Sequence, residues 1–72
     1  MTKKELAAAV AIDGNIANWL RRNNKTSEEL ASILGISTGA LSNKRTQNSK
    51  WNLGEIVRLM ETLDCDFETL TS

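Results

Sequence analysis

Leu30, Ile33 and Leu34 fall on one face at helical spacing, with Ala31 beside them, and polar punctuation marks both ends of that run. At its start, Thr26 stands three residues before Glu29. The Thr26 hydroxyl can accept from the Glu29 amide while the Glu29 carboxylate accepts from the Thr26 amide, a reciprocal capping box. At its end comes Gly35, where a left-handed cap needs no Cβ. Ile36 then points inward and Ser37 is suited to cap a second helix, on which Ala40 and Leu41 form a short apolar stripe ending near Arg45 to Gln47. The pattern predicts helix, tight glycine turn, helix over residues 26–47. Ala31 sits where two such helices come closest and only a small side chain fits.

A polar loop, TQNSKWN, leads to Asn52 and Glu55, which repeat the capping-box spacing with Asn as the cap. Leu53, Ile56, Val57, Met60 and Leu63 give an apolar stripe for a further helix. Asp64 and Cys65 form the next turn, and Asp66 caps a last short helix carrying Phe67 and Leu70.

The helix start at Thr26 is written twice. TKKELAAAVAID, residues 2–13, matches TSEELASILGIS, residues 26–37, at five positions: Thr2/Thr26, Glu5/Glu29, Leu6/Leu30, Ala7/Ala31 and Ile12/Ile36. The first copy has its own capping box and apolar residues Leu6, Ala7 and Val10, but Ala11 is a poorer turn residue than Gly. No helical scaffold is expected ahead of it to hold it up. Residues 1–23 are therefore expected to brace the second copy, as a short helix, a break near Asp13-Gly14, and a second helix bearing Ile16, Ala17, Trp19 and Leu20. One helix running through Gly14 is the rival arrangement.

Seventy-two residues make one domain with a modest core, and the absence of proline together with few aromatics favours helices over sheet. The expectation is an all-α, compact domain of five or six helices. No apolar run approaches the ~20 residues that span a bilayer, and the lysines and Ala-rich stretch after Met1 make a poor signal peptide. One cysteine and no histidine leave no tetrahedral metal set and no imidazole proton shuttle. Asp64 and Asp66 flank Cys65 and disfavour its thiolate. Neither an enzyme nor a cofactor is expected, and a reducing bacterial cytoplasm is the expected setting.

Net charge is zero, yet the charges are sorted: +3 over residues 1–27, −2 over 28–35, +3 over 36–52 and −4 over 53–72. Such sorting allows a basic face and an acidic end.

T-S-E-E-L-A-S-I-L-G-I-S-T-G-A-L-S-N, Thr26 to Asn43, resembles the two DNA-reading helices of the Cro and lambda-repressor-like helix-turn-helix family. L-G-E-I-V-R-L-M-E-T-L-D-C-D-F-E-T-L, Leu53 to Leu70, is similar to that family's closing helices at the family's spacing, so that the likeness spans residues 14–71. Residues 26–47 would be the helix-turn-helix and 53–71 the closing helices. Three positions depart from the pattern. Lys25 replaces an apolar residue at the helix entry, Lys44 an apolar or aromatic residue, and Trp51 a common proline.

The resemblance implies a small DNA-binding transcription regulator, of the kind found in phage lysis–lysogeny switches, that occupies a promoter as one or two copies. The second helix would enter the major groove with Thr38, Gly39, Ser42 and Asn43 at base edges; Asn can pair bidentately with adenine. Ser27 at a helix N-terminus would meet phosphate, with Lys44, Arg45, Gln47, Asn48 and Lys50 around the other side. Met60, Phe67 and Leu70 are the expected dimer surface, and core packing accounts for the same three residues equally well. A different role suits the same fold: an antirepressor, or modulator of repression, that binds a phage repressor protein. Glu55, Glu61, Asp64, Asp66 and Glu68 would then meet a basic surface, with Trp51 or Trp19 as anchor.

Overall fold

The computed structural model describes residues 2–47 and 49–72, which form five α-helices: α1 (Lys3–Asn23), α2 (Ser27–Leu34), α3 (Thr38–Arg45), α4 (Leu53–Leu63) and α5 (Phe67–Thr71). Each begins on a side-chain oxygen that satisfies an otherwise orphaned amide. Thr2, Thr26 and Asn52 head capping boxes closed by Glu5, Glu29 and Glu55, while Ser37 and Asp66 accept from the Ala40 and Thr69 amides.

The break expected near Asp13-Gly14 does not occur: α1 is one helix of 21 residues. Two local facts account for this. In the second copy the helix leaves through Gly35 at φ 73, a left-handed conformation that glycine adopts without strain. Ala11 occupies the corresponding place in the first copy, and for it the same exit costs about 1–2 kcal/mol. Ile12 and Ile16, one turn apart on either side of Gly14, are then both buried in the core. Their burial outweighs the ~1 kcal/mol that glycine takes from a helix interior relative to alanine. The helix stops instead at Asn24, which adopts the left-handed conformation at φ 53.

The core gathers Ile12 and Ile16 of α1, Leu30, Ala31 and Leu34 of α2, Leu41 of α3, Leu59 of α4 and Leu70 of α5. Trp19, Leu20, Ile36, Trp51, Ile56, Met60 and Leu63 pack around it. Thus α1 lies against α3, α4 and α5 as the brace of the helix-turn-helix. Asn15 joins its middle to the chain end, donating through Nδ2 to the Thr69 and Leu70 carbonyls at 3.2 and 2.9 Å.

Three apolar positions expected inside lie outside. Ile33 is 50% exposed, Leu53 79% and Val57 39%. The buried line of α4 runs through Glu55 and Leu59, flanked by Ile56, Met60 and Leu63, so the helix is turned about its axis relative to the expected stripe. Leu6 and Val10 of the first copy are also largely exposed.

Candidate nucleic-acid interface

Ser37 fixes the start of α3 and Leu41 anchors its underside in the core. With Leu41 and Lys44 turned inward, Thr38, Gly39, Ser42 and Asn43 are all exposed on the opposite side, as helical periodicity requires. A Cβ built on Gly39 meets nothing within 4 Å, so no neighbour inside this chain requires glycine there. The end of α3 is tied down by its own turn. Thr46 Oγ1 donates to the Ser42 carbonyl at 2.9 Å, and the Ser49 amide to the Asn43 carbonyl at 3.1 Å.

Thr38 and Ser42 share an open cleft with Asp13, Ser27, Arg45 and Thr46. Ser27 is the first residue of α2, where amides and helix dipole favour an anion. Arg45 reaches across from α3, its Nη1 donating to Ser27 Oγ at 3.3 Å. Its Nε donates to Asp13 Oδ1 of α1 at 2.6 Å, a charge-assisted pair. The sequence placed a helix break near Asp13; in the fold Asp13 is mid-helix and faces this cleft. No short-range signal points to it, because the pair joins residues 32 positions apart.

The other expected phosphate contacts are not assembled with Ser27 and Arg45. Lys44 is a correction: only 9% exposed, it pairs with Glu55 at 3.0 Å and donates to the Lys50 carbonyl at 3.0 Å. Its ammonium also lies 5.8 Å from the centroid of the Trp51 ring. The departure from an apolar residue at this place is therefore accommodated inward, and Lys44 cannot face a phosphate. Gln47 is half-buried and donates through Nε2 to the Arg45 carbonyl at 2.7 Å, which occupies its amide within the turn. Lys50 is exposed but pairs with Glu5 at 3.4 Å. Asn48 lies outside the described residues.

Each of the three cations expected around the end of α3 thus has a carboxylate partner: Glu55, Asp13 and Glu5. The basic segment at residues 36–52 does not become a free basic face. Helix α1, whose own segment is net positive, supplies two of the neutralising acids.

Of the residues expected at a dimer surface, the fold removes Leu70. Leu70 is fully buried, because α5 closes the core with it. Met60 is half-buried against the same core, while Phe67 is 58% exposed. Trp51 is half-buried and lines an apolar groove with Ala8, Ala9 and Ile12. Glu55, one of the acids expected to meet a basic protein partner, is buried at 7% exposure; Glu61, Asp64, Asp66 and Glu68 are exposed. Burial raises the pKa of the Cys65 thiol, with the Asp66 and Asp64 charges adding to the effect.

The family model of the Cro/C1-type HTH DNA-binding domain matches residues 15–72. The chain belongs to that family. No curated protein and no solved structure matches it. The matched span holds the whole Cro/C1-type helix-turn-helix, α2 and α3, with the closing helices α4 and α5. It begins two residues after Asp13, so the acid that pairs with Arg45 is outside the matched segment. Among the described residues, no helix is long and apolar enough to cross a membrane.

Proposed function

We propose that this chain is a DNA-binding transcription regulator of phage-switch type that represses by occupying a promoter in a bacterial cytoplasm. The observation that carries the reading is the exposed polar face of α3, Thr38, Gly39, Ser42 and Asn43, held by the buried Leu41 beside a cleft containing Ser27 and Arg45. In the major groove Asn43 offers the bidentate amide that matches adenine, and Thr38 and Ser42 offer less selective hydroxyls. Ser27 and Arg45 hold the backbone beside them. A two-fold operator would be met by two copies. Among Met60, Phe67 and Leu70, Phe67 has the ring exposed for such a contact.

The test is fluorescence anisotropy of a mixed-sequence duplex titrated with the protein at two salt concentrations. With Lys44, Arg45 and Lys50 all paired to acids, nonspecific affinity is weak and its salt slope shallow. About one to three phosphates at roughly −0.9 each are expected, rather than the 6–10 of a strongly basic reader.

A second reading is favoured by the same neutralisation together with the exposed Leu53 and Val57 on α4 and the exposed acids Glu61, Asp64, Asp66 and Glu68. In it the chain is an antirepressor that docks on the basic DNA-reading surface of a phage repressor. Absence of duplex binding at ~50 mM salt, with co-elution of the purified cognate repressor, would decide for it.

A further inference from the structure

We infer that Asp13 is an affinity-setting residue: an internal carboxylate that competes with backbone phosphate for Arg45 and holds nonspecific DNA binding down. The inference rests on the DNA-binding reading above and deepens it.

Three observations support it together. Arg45 is the cation in the cleft shared by Ser27, Thr38, Ser42 and Thr46, so phosphate arriving beside the α3 face meets it first. Its Nε is already bonded to Asp13 Oδ1 at 2.6 Å and its Nη1 to Ser27 Oγ at 3.3 Å. The Asp13 side chain keeps 37% of its surface exposed, against 24% for Arg45. The carboxylate is thus not sealed behind the guanidinium but shares the opening with it, and an incoming phosphate meets a negative charge as well as a neutralised positive one.

The placement of Asp13 strengthens the argument. It stands between the two isoleucines that anchor α1, so the backbone beneath it is held in place and the carboxylate stays within the cleft beside Arg45. Phosphate must displace the carboxylate from Arg45 or bind without that cation. A specific operator, with base contacts from α3, can offset this displacement, whereas random duplex has only phosphate to offer. Asp13 therefore lowers affinity for all DNA by the same displacement cost, and only base contacts from α3 lift a complex above that lowered baseline.

The experiment compares wild type, Asp13→Asn and Asp13→Asn/Arg45→Gln in the anisotropy titration on mixed-sequence duplex at ~50 and ~200 mM salt. Circular dichroism confirms that each variant retains its helices. Asparagine keeps the size and a hydrogen bond to Arg45 while removing the charge. Asp13→Asn is expected to bind tighter at low salt and to show a slope steeper by about 0.9, an extra loss of roughly threefold across that salt range. Adding Arg45→Gln abolishes both changes. Tighter binding by Asp13→Asn than by a wild type that itself binds, lost again in the double variant, supports the inference. If wild type binds but Asp13→Asn binds equally or more weakly, Asp13 orients Arg45 or lies off the phosphate path, and the inference falls while the DNA-binding reading stands. If neither binds at ~50 mM salt, both fall.

Discussion

Lys44 Nζ and Glu55 Oε1 lie 3.0 Å apart with only 11% and 8% of their side chains exposed, a buried ion pair joining α3 to α4. Glu55 serves two masters: through Oε1 it also accepts from the Asn52 amide at 2.9 Å and so closes the α4 capping box. Lys44 donates a further hydrogen bond to the Lys50 carbonyl, so the ammonium is satisfied by charge and by backbone. A pair this buried is sensitive to loss of one member, because the survivor is left as an uncompensated charge.

Lys44→Met is therefore expected to destabilise the domain by about 3 kcal/mol. Lys44→Met/Glu55→Gln should recover most of that loss, since glutamine keeps the capping box without the buried charge. Urea denaturation followed by circular dichroism measures both. A double variant no more stable than Lys44→Met would mean that lost packing of the lysine stem, not the stranded carboxylate, dominates.

Three small-residue positions, Gly35, Gly14 and Ala11, should respond in different directions. Gly35→Ala places a Cβ on backbone at φ +73 and 3.2 Å from Arg58 Nη1, which donates to the Leu34 carbonyl at 2.8 Å, and should cost about 1–2 kcal/mol. Gly14→Ala meets nothing within 4 Å and should stabilise by about 1 kcal/mol. Ala11→Gly should destabilise by a similar amount without breaking α1, since Ile12 and Ile16 remain anchored. Melting temperatures give all three signs.

Gly39 and Asn43 separate folding from recognition. Gly39→Ala fills open space and should stabilise α3 by about 1 kcal/mol, yet weaken DNA binding where the backbone must approach the groove closely. Asn43→Ala should leave the melting temperature nearly unchanged and remove about 1–3 kcal/mol of discrimination at one base pair of a selected operator. Loss of affinity uniform across all sequences would assign Asn43 to the backbone instead.

Acid should act through the helix caps. The Thr2 amide and hydroxyl, with Lys50 nearby, lower the pKa of Glu5; the Thr26 amide lowers that of Glu29, and the Thr69 amide that of Asp66. With folded-state values depressed, their contribution is fully present above the ordinary carboxylate range and is lost as pH falls through the lower folded values. Stability should be level near neutrality and decline below about pH 5. In Thr2→Ala/Thr26→Ala the decline should be shallower, as thermal melts across pH would show.

Much of this protein was set by residues acting on near neighbours. Thr2 with Glu5, Thr26 with Glu29, and Asn52 with Glu55 mark three helix starts, because a capping box closes within three residues and needs no distant partner. Gly35 marks the turn for the same reason, and the outward face of α3 follows from helical period once Leu41 is inside. The length of α1, the rotation of α4 and the fate of the charges were decided only in the folded chain. Ile12 and Ile16 carry α1 through Gly14 because both sides of the glycine have a core to enter. Leu59, not Leu53 or Val57, lies innermost on α4, where Lys44 draws Glu55 inward beside it. A lysine or arginine spelled in a basic segment carries no record of which acid it will meet. Asp13 and Glu5 reach Arg45 and Lys50 only because α1 folds back against the helices that follow, and that packing turns the basic segment into a set of ion pairs.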